Sequence, residues 1–265
     1  MNKIRIVNDV IKLKDVDNSI TVSLKEKNDN YLVNVVKIII NEDTDLDIDY
    51  DIKESSKLDL FINVKKDVSV NIYEHTKGDF LKVQYKYYLE ENSVCNNYKT
   101  SNLIGCKEYT IINLNGENSS MKRVLKTVSK YQEQYDMMVY HNSKNTKSDL
   151  INQGVNIDNG NLAFNVSSFV PENNINCVVE QNNRIVNLTS NECMIKPNMY
   201  IDCFDVTANH SAFIGDFKDS ELFYLQSRGI PYEDSVKLLI DGFLSSHIPE
   251  NMQDDFKETI EKYWR

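Results

Sequence analysis

Polar and apolar residues alternate along most of this chain, with a period close to two. From about Lys3 to Phe204, short runs rich in β-branched and aromatic residues follow one another, such as Val68–Tyr73, Leu81–Leu89 and Tyr109–Leu114. The clearest case sets Leu162, Phe164 and Val166 against Ala163, Asn165 and Ser167, which gives a strand one apolar and one small polar face. Later runs fall at Cys177–Glu180, Arg184–Leu188 and Met199–Phe204. Only Met121–Tyr131 fits a helix and a strand about equally well. Many short strands between polar turns suit a sandwich, a barrel or a solenoid, and periodicity alone does not choose. Phe164, Ile185 and Ile201 are spaced by 21 and 16 residues, which is near one solenoid coil but irregular.

The pattern changes after His210. Asp219 is placed to cap a helix running through Leu222, Phe223 and Leu225 to a stop at Gly229. Pro231 suits the first turn of a second helix, with Glu233 and Asp234 near its positive end. There Val236, Leu239, Ile240 and Phe243 recur at helical spacing. Pro249 ends it, and Met252, Phe256, Ile260 and Trp264 mark a third amphipathic stripe. The expected division is a β body over 1–215 and a helical unit over 216–265, the helices packing on each other and on the end of the body.

Composition narrows the functions open to such a body. The chain has 265 residues and a formal net charge of −10, so phosphate backbones repel it, and no basic stripe offsets this. No apolar run is long enough to span a bilayer, and Met1–Arg5 leads into mixed polar sequence rather than a secretory h-region. The expectation is a cytoplasmic protein that binds neither nucleic acid nor membrane. Glycine (8) and proline (4) are scarce, so asparagine and aspartate must supply the turns. The five cysteines, Cys95, Cys106, Cys177, Cys193 and Cys203, form no C-x-x-C pair. They read as buried small hydrophobes rather than a disulfide framework, a zinc site or a ferredoxin-type cluster. No G-x-x-x-x-G-K-[ST] loop, dinucleotide fingerprint or G-x-S-x-G elbow is present.

The stretch Asp216–Leu244, DFKDSELFYLQSRGIPYEDSVKLLIDGFL, carries a specific resemblance. Leu222-Phe223-Tyr224-Leu225, then Ser227-Arg228-Gly229-Ile230, then Gly242-Phe243 resemble the C-terminal signature of the SufB/SufD family of iron–sulfur cluster assembly proteins. Upstream, Lys196-Pro197 and Asp205–Ala212 resemble the family's proline and "DV..SHGA" segments. His141 with Thr146 and Ser148, then Gly154-Val155, resemble its "H…T.S…GV" segment. The resemblance covers roughly Met138 to Leu244.

It implies a right-handed parallel β-helix followed by about three helices. It also implies a complex with a SufC-like ATPase and either a SufB-like subunit or a second copy of this chain. A transient iron–sulfur cluster would form at the subunit interface, with none held stably by the isolated subunit. His210 matches the family histidine implicated in building that cluster, and Cys203, seven residues earlier, is a weaker candidate ligand. Arg228, Gly229, Ile230, Gly242 and Phe243 fall where the family contacts the ATPase. Asn182 stands where the SufB branch has a cysteine, and Ser211 where it has a glutamate; both departures point to the SufD branch, in a short form. Two other readings stay open: a minimal SufB-like homodimeric scaffold, and a β-solenoid that acts on or binds carbohydrate. His141 reads as a structural hydrogen-bonding residue.

Overall fold

The computed structural model describes residues 2–26 and 34–263. In chain order the strands are β1 (Asn2–Val7), β2 (Val10–Asp15), β3 (Ile20–Glu26), β4 (Asn34–Ile40), β5 (Thr44–Ile52), β6 (Ser56–Val64), β7 (Ser69–Leu89) and β8 (Val94–Leu114). There follow β9 (Ser120–Ser129), β10 (Gln132–His141), β11 (Lys147–Asn156), β12 (Asn161–Val170), β13 (Cys177–Asn187), β14 (Met194–Ile201) and β15 (Val206–Gly215). Helices α1 (Asp219–Ser227) and α2 (Tyr232–Ser245), a 3-10 segment (Glu250–Phe256) and α3 (Lys257–Tyr263) complete the described chain.

The strands wind into a parallel β-solenoid with two faces. One ladder runs β1-β5-β7-β8-β9-β11-β13-β15, and the other runs β4-β6-β7-β8-β10-β12-β14. The long strands β7 and β8 serve both, their first halves in one ladder and their second halves in the other. Among the described strands only the pairs β1–β2 and β3–β4 are antiparallel. Equivalent positions Leu46–Ile72, Val70–Cys95, Cys95–Met121, Met121–Ser148, Ser148–Val179 and Val179–Ala208 set coils of 26, 25, 26, 27, 31 and 29 residues. The spacing of Phe164, Ile185 and Ile201 does not measure a coil. Phe164 pairs with Ile195 on one ladder, whereas Ile185 pairs with Ile214 on the other.

The turns hold the true repeat. Asp67, Asn92, Asn118, Asn145 and Asn176 all have φ between 55° and 60°, the left-handed region these residues tolerate. Each amide N–H donates to a carbonyl of the next coil: Asp67 to Glu91, Asn92 to Glu117, Asn118 to Lys144, Asn145 to Ile175, Asn176 to Asp205. Side chains add rungs, with Asn92 Nδ2 donating to Asp67 Oδ1 at 2.6 Å and Asn118 Nδ2 to Asn92 Oδ1 at 2.9 Å.

The interior is apolar in the first coils, charged in the middle and mixed in the last ones, where Gln181 and Asn183 are buried beside Val179 and Ile185. Glu74, Lys99, Glu108 and Arg123 are fully buried among Tyr50, Tyr85 and Tyr87. Lys99 Nζ lies 2.6 Å from Glu108 Oε2, and Arg123 donates to the other oxygen and to Asn97. Burial alone would raise the Glu108 carboxyl, but the Lys99 and Arg123 charges beside it hold it below the usual range.

Met121–Tyr131 contains β9, not a helix. Met121 and Leu125 face inward, while Val124 and Val128 are buried on the outside, and together they imitate a helical i, i+3, i+4, i+7 pattern. What buries the outer side is the helical unit. It lies along the face of the first ladder rather than on the end of the body. Val128, Val155, Ile157 and Val186 pack there against Val236, Ile240, Phe243, Leu244, Phe256 and Ile260. Lys218, not Asp219, is the N-cap of α1, its backbone N–H donating to Glu221. Pro231 caps α2 from just outside. Trp264 lies outside the described residues. No helix among them is long and apolar enough to cross a membrane.

Candidate functional site

β15 is the last rung of its ladder and pairs only with β13, so its far edge has no partner among the described strands. In register, Val179, Gln181, Asn183 and Ile185 meet Ala208, His210, Ala212 and Ile214. The four β13 residues are buried in the solenoid interior. The same row on β15 is exposed or half-buried, because no further coil covers it. His210 is therefore an interior-row residue left open at the end of the solenoid. Phe213 and Ile214 beside it, and Tyr200 and Phe204 from the preceding coil, are exposed as well.

Asn182 pairs with Ser211 at the next register position. Alternation puts this pair on the outer face of the sheet and Gln181–His210 on the inner one. The two positions at which the SufB branch differs are thus adjacent in space. An exposed amide at Asn182 offers no thiolate.

Cys203 is not on the strand leading to His210. It sits in the turn between β14 and β15, 9% exposed, packed with Val170, Cys177 and Val179. All five cysteines are free thiols; Cys95, Cys106, Cys177 and Cys203 are buried and Cys193 half-buried. Burial pushes the Cys95 thiol up to about 12 and raises those of Cys106 and Cys193. These three are poor thiolate ligands where they stand. His141 is buried, its Nδ1 2.8 Å from Thr146 Oγ1 and its Nε2 2.9 Å from Ser148 Oγ. It has a structural role.

The tail presents a second surface. Arg228 lies over the Tyr224 ring at 5.4 Å, and Gly229 turns the chain after α1 with φ of +86°. Arg228, Gly229 and Gly242 are exposed and Ile230 half-buried, next to exposed Phe223, Tyr224, Tyr232 and Leu238. Phe243 departs from the expected surface position. It is 8% exposed and sits between the Lys126 ammonium at 5.5 Å and the Arg184 guanidinium at 5.0 Å. Gly242 has no steric reason within this chain, since an added methyl would meet nothing within 4 Å. A mid-helix glycine costs about 1 kcal/mol relative to alanine.

Sequence reasoning missed the residues that hold the tail to the body. Lys126 on β9 donates to Gln153 Oε1, to the Phe243 carbonyl at 2.8 Å and to Ser246 Oγ at 2.9 Å. A lysine in a strand reads as solvated until the helices are placed on it.

Residues 25–243 match the family described as "SUF system FeS cluster assembly, SufBD core domain". The iron-sulfur cluster assembly protein SufD of Bacillus subtilis is 27% identical over 182 residues, 68% of this chain and 40% of that protein. SufD of Escherichia coli is 28% identical over 149 residues, 55% of this chain and 35% of that protein. The chloroplastic protein ABCI7 of Arabidopsis thaliana is 44% identical over 54 residues, 20% of this chain and 11% of its own length. The matched stretches thus span less than half the length of these relatives. With 219 of its residues matched to the core domain, this chain belongs to the SufBD family of iron–sulfur cluster assembly proteins.

Proposed function

We propose that this chain is a SufD-like, non-catalytic subunit of a SufBCD-type assembly scaffold that works in the cytoplasm. One observation carries the reading: His210 lies on the interior row of an uncapped last coil. An exposed edge strand with apolar neighbours invites a further strand from another chain. A SufB-like subunit docked there covers Phe213 and Ile214 and encloses His210 at the interface. The imidazole then supplies one nitrogen to a cluster being built between the subunits, while the partner supplies thiolates and sulfur. The cluster is cargo and leaves with an acceptor. Asn182 favours the SufD role over the homodimeric SufB-like one, because an amide cannot receive sulfur, and Ser211 departs from the SufB branch in the same direction.

The ATPase partner, a SufC-like subunit, is assigned to the α1–α2 surface of Arg228, Gly229, Ile230 and Gly242. A glycine that nothing in this chain requires permits close approach of another backbone. Phe243 shapes that surface from beneath.

The test is reconstitution with a SufB-like subunit and a SufC-like ATPase, comparing wild type with His210→Ala. The variant is expected to fold and to assemble with unchanged stoichiometry, since His210 is exposed in the free subunit. Its iron and acid-labile sulfide content should fall several-fold. Equal cluster content in the two complexes would remove His210 from the site.

A further inference from the structure

The outer face of the first coils holds a cluster that the assembly reading does not use. On β5, Leu46, Ile48 and Tyr50 are buried, so Asp47 and Asp49 between them project outward. His75 on β7 is the register partner of Asp49, directly across. One ligand atom from each of Asp47, Asp49 and His75 lies within 4.8 Å of the others. His75 Nε2 stands 3.7 Å from Asp47 Oδ1. Two ligands about 2.1 Å from a metal at a tetrahedral angle stand roughly 3.4 Å apart, so this pair closes on an ion with a shift of a few tenths of an ångström.

Two further observations point to a cation. The first is the other side of the imidazole. Asp255, in the 3-10 segment that covers this face, lies with Oδ2 2.7 Å from His75 Nδ1. A carboxylate there fixes the proton on Nδ1 and turns the Nε2 lone pair towards Asp47, the arrangement usual behind metal-bound histidines. The second is Asp47 Oδ1, a buried oxygen with no hydrogen-bond partner. Buried carboxylate oxygens are rarely left so. The neighbouring Lys3 ammonium engages different oxygens, Asp47 Oδ2 at 3.7 Å and Asp49 Oδ2 at 2.8 Å, and is itself 42% exposed. It supplies positive charge beside the cluster without satisfying Oδ1.

We propose that Asp47, Asp49 and His75 bind one first-row divalent metal ion, with Asp255 as the positioning residue behind His75. A donor set of one imidazole and two carboxylates suits Mn2+, Fe2+, Co2+ or Zn2+ and disfavours Ca2+, which takes oxygen ligands throughout. The site is separate from the edge carrying His210. β7 and β5 lie five and six strands from β15 along the same ladder, roughly 24 and 29 Å at about 4.8 Å per strand. Because Asp255 belongs to the C-terminal segment, an ion here would also fasten that segment to the first coils.

The experiment titrates the metal-free full-length chain with Co2+ and follows its visible d–d absorption. One Co2+ per chain is expected. Asp47→Asn and His75→Gln should each weaken binding at least tenfold with unchanged far-ultraviolet circular dichroism. Lys3→Met should tighten it several-fold, because the ion no longer competes with the ammonium. Hydrogen exchange in Glu250–Phe256 should slow when Co2+ is added to the wild type and not when it is added to His75→Gln. No binding by the wild type below millimolar Co2+ would overturn the assignment, as would binding that Asp47→Asn and His75→Gln leave unchanged. Should either of those variants fail to fold, Lys3→Met decides: an affinity equal to wild type overturns the proposal.

Discussion

His141 and Glu133 stand near the two ends of one strand, β10, and respond to acid in opposite directions. The Thr146 hydroxyl donates to the Ser143 carbonyl, so it accepts from His141 Nδ1–H and leaves Nε2 to accept from Ser148. Burial pushes this imidazole down to about 4, against about 6.5 in an unfolded chain. Between those values the unfolded state binds more protons. The contribution of His141 is therefore complete above pH 6.5 and is lost as pH falls towards 4. Burial pushes the Glu133 carboxyl up to about 7 while Thr127 and Tyr135 donate to it. Its contribution is complete below about pH 4.5 and is lost as pH rises through 7. Each group has a limiting slope of about 1.4 kcal/mol per pH unit, so the two nearly cancel between pH 5 and 6.5. In urea unfolding, His141→Gln should make stability fall as pH rises across that window, and Glu133→Gln should make it rise. Parallel profiles for both variants and wild type would show that neither group is held as described. A structural hydrogen bond was the expected reading of His141, but its partners Thr146 and Ser148 are visible only once the turn between β10 and β11 is folded. The burial of Glu133, Lys99 and Arg123 was not legible, because alternation says which residues share a face but not which face is inside a solenoid whose two sides are both covered.

The elements tell the same story at the next scale. β9 looks ambiguous only when its outer side is assumed to be wet; its helix-like spacing is the sum of an inward and an outward buried set. The three C-terminal helices were legible from caps and stripes, but their place along the ladder was not, since the stripe of α2 says only that it must pack on something apolar. Lys126 is the tie. Its three donors meet Gln153, the Phe243 carbonyl and Ser246, at the negative end of α2. Lys126→Met takes away the shared donor and leaves the single Ser246 hydroxyl to serve both Gln153 Oε1 and the Phe243 carbonyl, which costs about 2 kcal/mol and lowers Tm by roughly 5 °C. Amide exchange in Tyr232–Ser245 should quicken more than in β10–β12. Uniform acceleration across the chain would mean that Lys126 serves the body and not the docking of α2.

For the whole molecule, the fold class was legible because the fifteen described strands leave a period-two record, and the edge bearing His210 was legible only through a resemblance. Nothing in the residues around Asn209-His210-Ser211 says that this strand is the last. The coil length was written in the sequence as well, in asparagines and aspartates at turns rather than in aromatic residues within strands. Asp67, Asn92, Asn118, Asn145 and Asn176 are spaced by 25, 26, 27 and 31 residues. A turn position needs one backbone conformation, whereas an interior position accepts any side chain of suitable volume, so the turn keeps the beat more faithfully.

That ladder makes the molecule a ruler. Each rung touches only the rungs before and after it, so the separation of two features is a whole number of graduations of about 4.8 Å. The Lys126 tie on β9 and His210 on β15 are three graduations apart. Duplicating one coil between them, residues 147–177, should leave both ends folded and lengthen that span by about 5 Å, which spin labels at exposed positions of β15 and α2 would read as a distance. An unchanged distance would mean that the helices had followed the edge instead of the rung. Length, on such a scaffold, is something that can be set by counting.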